Sequence, residues 1–185
     1  MNLTREEIEG LAESIDINYA TLMAFISVES GGKGFINGRI VIQFEPAWFK
    51  KKAPFAPSGL WSINKVDNQD KEYKAFSNAF KLNATAAMLS TSWGLGQIMG
   101  FHHARLGFKT VDAMVDAFKA SEYQQVKGIV KFIQTDPKLW KAIKERNWHL
   151  VATYYNGGGY KELAIKYGRE PYNISLAKAE LKYAA

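Results

Sequence analysis

Three patches of this sequence combine residue types that can do chemistry. The first is Val28-Glu29-Ser30-Gly31-Gly32, where a glutamate closes a run of apolar residues. If that run is a buried helix, the carboxylate sits at its C-terminal end. There desolvation and the negative end of the helix dipole both disfavour the charged form. A carboxyl that keeps its proton near neutral pH is what general-acid catalysis at a glycosidic oxygen requires. A solvated glutamate at a helix end would look the same in isolation. The second patch is Ser92-Trp93-Gly94-Leu95-Gly96-Gln97-Ile98-Met99-Gly100. Its glycines allow a ligand close to the backbone, and Gln97 can donate to and accept from a sugar hydroxyl or acetamido group. A buried turn with a satisfied glutamine fits that patch equally well. The third is Tyr154-Tyr155-Asn156-Gly157-Gly158-Gly159-Tyr160. Tyrosines offer a flat apolar face and a hydroxyl, which suits carbohydrate rings, and they also serve as packing residues beside a helix stop.

The elements that must position these patches are mostly helices. Thr4 with Glu7 forms a capping box, predicting a helix from Arg5 to Ser14. Asn18 caps a second, whose Leu22, Met23, Ala24, Phe25 and Ile26 are apolar nearly all round, and it stops at Gly31-Gly32. Asn37-Gly38 between Phe35-Ile36 and Ile40-Val41 predicts a β-hairpin, since both turn positions need positive φ. Alternation then puts Ile40, Ile42 and Phe44 on one face and Val41, Gln43 and Glu45 on the other. Pro46 keeps Glu45 extended. Residues 51–69 carry prolines and no clear period, and read as an exposed loop. From Asp70 the pattern is helical, broken around Ser92–Gly100 and Gly157–Gly159. Thr110, Ser121 with Gln124, and Asp136 before Pro137 act as caps. The expected architecture is α+β, mostly helical, with one small sheet in the N-terminal third.

Composition bounds the rest. A chain of 185 residues suits one domain, and 47% hydrophobic with 23% charged residues is the balance of a globular protein rather than a disordered one. Zero cysteines exclude disulfides, thiolate nucleophiles and cysteine zinc sites. His102, His103 and His149 lack a metal-ligand spacing, and the adjacent pair is expected to cap or pack. Neither a metal nor a cofactor is expected. The opening MNLTREEIEG is acidic where a secretory leader would be basic, and no apolar run is long enough for a membrane span. The net charge of +6 suggests an anionic partner. Much of it lies in the C-terminal third, on Lys138, Lys141, Lys144, Arg146, Lys161, Lys166, Arg169, Lys178 and Lys182. Nucleic acid is not the expected partner, because neither a basic recognition helix nor an RNA-binding aromatic motif is present.

Taken in order, Glu29-Ser30, Gly94-Leu95-Gly96-Gln97-Ile98-Met99 and Tyr155-Asn156-Gly157 resemble the ES, GLMQIM and AYNxG motifs of goose-type lysozymes and lytic transglycosylases. With Phe44-Glu45 and Gly100-Phe101 added, the chain resembles the N-acetylmuramidase domain of bacteriophage endolysins over nearly its whole length. The resemblance implies a lysozyme-like fold, a small β-hairpin region flanking a glycan cleft, and Glu29 as the catalytic acid. It implies that Gln97, Tyr154, Tyr155 and Asn156 line the cleft, with Ser92 and Trp93 beside them. Gly96 departs from the pattern, since the broader superfamily often carries Met or Phe there, and a wider cleft is expected. Glu45 is the candidate second carboxylate, because the sheet in such folds forms the wall opposite the acid helix. A carboxyl separation of roughly 6.5 to 9.5 Å would then suit an inverting hydrolase. The implied reaction is hydrolysis of the β-1,4 bond between N-acetylmuramic acid and N-acetylglucosamine. The alternatives are a lytic transglycosylase giving 1,6-anhydro products and a noncatalytic peptidoglycan-binding protein.

The expected partner is the peptidoglycan glycan strand, with attraction to the anionic bacterial envelope, and the protein is expected to be a monomer. Many relatives carry a separate wall-binding domain. Here a single catalytic domain over residues 1–185 is expected to find substrate unaided. It is expected to stay in the host cytoplasm until a holin permeabilises the membrane, and then to reach the periplasm and wall.

Overall fold

The computed structural model describes residues 3–65 and 68–184. Val66 and Asp67, in the stretch read as a loop, lie outside the described residues. The chain forms two compact units, a central one over Lys33–Gln125 and a terminal one from the segments ending at Gly32 and starting at Val126. No described helix is long and apolar enough to cross a membrane.

The first helices form where the caps direct. Helix α1, Arg5–Glu13, has the complete Thr4–Glu7 capping box. Helix α2, Tyr19–Ser30, starts at Asn18, whose side chain accepts from the Thr21 N–H at 2.8 Å. It stops at Gly31, whose φ of 62° is left-handed. Leu22, Ala24, Phe25 and Ile26 are completely buried, so this helix has no solvent face along its middle.

In the central unit, β1 (Phe35–Ile36) and β2 (Arg39–Ile40) form the expected hairpin, with Asn37 and Gly38 at φ of 51° and 73°. The chain then changes partner. Strand β3, Ile42–Phe44, pairs with β4, Thr91–Trp93, which pairs with β5, Ile98–Met99. There are thus two small sheets rather than one, and the glycine-rich stretch is a hairpin. Its turn uses positive φ at Gly94 (67°) and Gln97 (44°) and closes with Gln97 N–H to the Gly94 carbonyl at 3.1 Å. The burial alternation is as expected: Ile40, Ile42 and Phe44 are buried, and Val41, Gln43 and Glu45 are partly exposed.

The exposed-loop expectation for 51–69 needs correction. Pro46 opens helix α3, Pro46–Lys52, and Leu60–Ile63 forms a 3-10 turn that buries Trp61. Trp61 joins Phe44, Phe49, Ala75 and Ala79 in one cluster. Its indole N–H donates to the Pro57 carbonyl at 2.9 Å, so its polar atom is satisfied while the ring is buried. Helix α4, Gln69–Leu82, covers this cluster, followed by α5, Ala84–Leu89, and α6, Val111–Ala120.

Helix α7, Glu122–Gln134, contains the boundary between the units. In the terminal unit follow α8 (Pro137–Lys144), α9 (Trp148–Asn156), α10 (Tyr160–Lys166) and α11 (Tyr172–Ala184). Helix α11 packs along α2 more extensively than any other pair of elements. A buried link ties them, with Thr21 Oγ1 donating to Glu180 Oε1 at 2.6 Å and Arg146 bound to the same oxygen at 2.8 Å. The fold is α+β and mostly helical, as expected.

Candidate functional site

Glu29 occupies the last turn of α2, one turn after the buried Phe25. The residue keeps some solvent contact, yet its carboxyl is strongly desolvated, and this burial pushes its pKa up from 4.5 to about 7. The Tyr172 hydroxyl, from the first turn of α11, hydrogen-bonds Glu29 Oε1 and pulls in the opposite direction by stabilising the carboxylate. Burial, and then the nearby Glu29 charge, raises the phenol's own pKa well above its usual 10, so Tyr172 stays a donor.

Tyr155 holds Tyr172 in place. The two rings stack with centroids 6.3 Å apart and an interplanar angle of 11°, and Tyr155 meets Phe25 and Phe132 edge-on at 5.4 and 5.5 Å. Phe25, Phe132, Tyr155 and Tyr172, from α2, α7, α9 and α11, thus form one aromatic cluster that reaches Glu29 through the Tyr172 hydroxyl. Tyr154 and Asn156, its neighbours in sequence, are exposed. Tyr172 escaped sequence reasoning. Its partner is 143 positions away, and Pro171-Tyr172 carries no local pattern beyond a helix start.

Removing that hydroxyl should have a signed effect. In Tyr172→Phe the burial of Glu29 is no longer opposed, so the carboxyl's titration, followed by carbon NMR, should move above about 7. A midpoint unchanged or lower would show that Tyr172 does not tune it.

The central unit holds the other expected residues in a hydrogen-bonded chain. Gln43 Nε2 donates to Glu45 Oε1 at 2.7 Å, an i, i+2 pair on the partly exposed strand face. Cross-strand from Gln43, Ser92 Oγ donates to Gln97 Oε1 at 2.9 Å, and Gln97 Nε2 donates to the Gly94 carbonyl at 2.8 Å. The Gln97 amide is therefore fixed in orientation with one N–H and one lone pair to spare. Glu45 stands immediately before α3, with its own N–H donated to the Ser90 carbonyl at 2.9 Å.

Two expectations change. Trp93 is 1% exposed, lies edge-on to Phe76 and donates its indole N–H to the Met88 carbonyl, so its ring belongs to the core. The glycines Gly94 and Gly100 make room for protein rather than ligand. A Cβ on Gly94 would lie 2.5 Å from Gln125 Oε1, and one on Gly100 would lie 2.0 Å from the Met88 carbonyl oxygen. Gln125 is buried beneath the turn, accepting from the Leu95 N–H and donating to the Phe118 carbonyl, both at 2.8 Å. Gly96 is itself buried.

Among the described residues no cluster of His, Asp or Glu is arranged to hold a metal. His103 Nδ1 lies 3.2 Å from the Gly100 carbonyl, His149 Nδ1 pairs with the Tyr160 hydroxyl at 2.7 Å, and burial lowers His102 to about 4.

A desolvated carboxyl with its pKa raised to about 7 stands just before a glycine helix stop, and the sequence model of the N-acetylmuramidases matches residues 18–183. The chain belongs to the N-acetylmuramidase family. Among solved structures, it is similar to the Burkholderia AP3 phage endolysin at 31% identity and a TM-score of 0.83, over 98% of this chain and 70% of that one. No curated protein matches. As a member of this family the chain is a peptidoglycan-degrading protein of the endolysin kind.

Proposed function

We propose that this muramidase hydrolyses the β-1,4 bond between N-acetylmuramic acid and N-acetylglucosamine, with Glu29 as general acid. The observation that carries the reading is the Glu29 carboxyl, held protonated up to about pH 7 by burial and oriented by the Tyr172 hydroxyl. Its proton goes to the glycosidic oxygen as the bond from C1 of the muramic residue breaks. A water then adds at C1. Glu45, steadied by Gln43, is the proposed base that takes the water's proton. Ser92, Gln97, Tyr154, Tyr155 and Asn156 are the proposed substrate-binding residues. Gln97 has hydrogen-bonding capacity left for a sugar, and Ser92 and Tyr155 in addition hold Gln97 and Tyr172 in place. The proposal assigns no ligand contact to Trp93.

The test is digestion of purified sacculi by the wild type and by Glu45→Gln. Wild-type digests should contain reducing N-acetylmuramic acid ends. The folded variant should lose roughly 10²-fold or more in rate, the usual scale for a proton-transfer group. Full activity in Glu45→Gln would remove that residue from the mechanism, and an intact sacculus after wild-type treatment would overturn the function.

A further inference from the structure

Helix α3 carries two adjacent aromatics with opposite fates. Phe49 is completely buried against Trp61, whereas Trp48 is 39% exposed. Trp48 lies 4.7 Å from Phe101, centroid to centroid and tilted by 44°. Phe101 is in the 3-10 turn Gly100–His102 that directly follows β5. The Trp48 indole N–H has no protein acceptor among the described residues, and the ring is partly open to solvent. Two ammonium groups stand over this pair: Lys51 Nζ is 4.8 Å from the Trp48 ring, and Lys52 Nζ is 6.0 Å from Trp48 and 5.6 Å from Phe101. Neither has a carboxylate partner among the described residues.

We propose that Trp48 and Phe101, with Lys51 and Lys52, form a saccharide subsite for a pyranose ring bearing a free carboxylate, the muramic residue of a glycan strand whose lactyl group carries no stem peptide. The inference rests on the peptidoglycan reading above and adds a place on the protein for the acidic sugar. The apolar C–H face of a pyranose lies flat on an indole, and the free N–H can donate to a ring substituent. Lysines on exposed aromatic faces are held only weakly, so they swing aside at little cost and pair with an incoming carboxylate. A neutral N-acetylglucosamine gains the stacking and not the ion pair. The position agrees with this role. Trp48 lies one helical turn beyond Glu45, and Phe101 lies two residues beyond Met99, the cross-strand partner of Ser92. The platform thus follows closely in sequence on Glu45 and on the hairpin that carries Ser92, within the same unit.

The test uses the full chain with Glu29→Gln, so that glycans bind without being cut. The probes are neutral chitotetraose and an alternating N-acetylglucosamine–N-acetylmuramic acid tetrasaccharide. In nitrogen NMR, the Trp48 indole signal, assigned from its loss in Trp48→Phe, should shift on titration with both. Trp48→Ala should weaken both about tenfold, which is ~1.4 kcal/mol. Lys51→Gln with Lys52→Gln should weaken the muramyl probe several-fold and leave chitotetraose unchanged. A Trp48 signal that stays put while the glycan binds, or equal loss of the two probes in the lysine variant, overturns the subsite and leaves wild-type cleavage standing. If wild type fails to cleave sacculi, the function reading falls, and the same titration still decides the subsite.

Discussion

Glu29→Gln is expected to clear permeabilised Gram-negative cells at least ~10² to 10⁴-fold more slowly than wild type, the range for loss of a positioned general acid. Gln preserves the side chain's size and can still accept from the Tyr172 hydroxyl, so the surrounding α2, α9 and α11 have no reason to move. What it lacks is the transferable proton. The same substitution has a predictable effect on stability. The carboxyl titrates at about 7 when folded and at 4.5 in an exposed glutamate, so the native state keeps a proton that the unfolded chain has released between those values. Its contribution to stability is whole below 4.5 and is lost as pH rises through about 7, where the fold must hold a desolvated charge. The variant carries no such charge. It should melt like wild type below 4.5 and at a higher temperature above 7, the signature of an active-site residue kept at a cost to stability. Normal activity in a folded Glu29→Gln protein would end its assignment as the acid.

The second large effect is on folding. In Gly100→Ala the new Cβ would lie 2.0 Å from the Met88 carbonyl oxygen, 2.8 Å from its carbon and 3.0 Å from the Leu89 Cα, all main-chain atoms at the end of α5. A side chain could rotate aside; this backbone cannot without shifting α5. Overpacking of this kind costs ~1–3 kcal/mol and occasionally more, and the top of that range applies here. For a chain of this size that is a fall in melting temperature of roughly 6–12 °C. Gly158→Ala is the matched control, because a Cβ there meets nothing within 4 Å, and its melting temperature should be unchanged. Equal melting of the two variants would show that the Gly100 contact is relieved in solution.

What could be read from the sequence was what is decided locally. The caps at Thr4, Asn18, Thr110 and Asp136 and the Asn37-Gly38 turn depend on residues within four positions of one another, and all form. Period-2 alternation put Gln43 and Glu45 on one strand face, where the structure joins them by a hydrogen bond. The misses are all long-range. Strands β3, β4 and β5 hold only two or three residues each, too short to show a period, and Gln43 finds Ser92 across 49 positions. Trp61 is buried largely against Phe49 of α3 and Ala75 and Ala79 of α4, outside its proline-rich stretch, so its own segment read as exposed. Trp93 sat within a motif that suggested a ligand contact, and only the position of Met88 and Phe76 shows why the indole turns inward. Tyr172 is the plainest case: the group that tunes the acid is supplied by the far end of the chain through the packing of α11 on α2.

The central claim is that Glu29 delivers its proton to a glycosidic bond that water then completes. Digestion of purified sacculi in heavy-oxygen water, with the soluble muropeptides weighed by mass spectrometry, tests it most directly. Hydrolysis places one heavy oxygen at C1 of each new reducing N-acetylmuramic acid end, and that is the expected product. Muropeptides that end predominantly in 1,6-anhydro-N-acetylmuramic acid and carry no heavy oxygen would contradict the account, because the muramic residue's own 6-hydroxyl would then have taken the place of water.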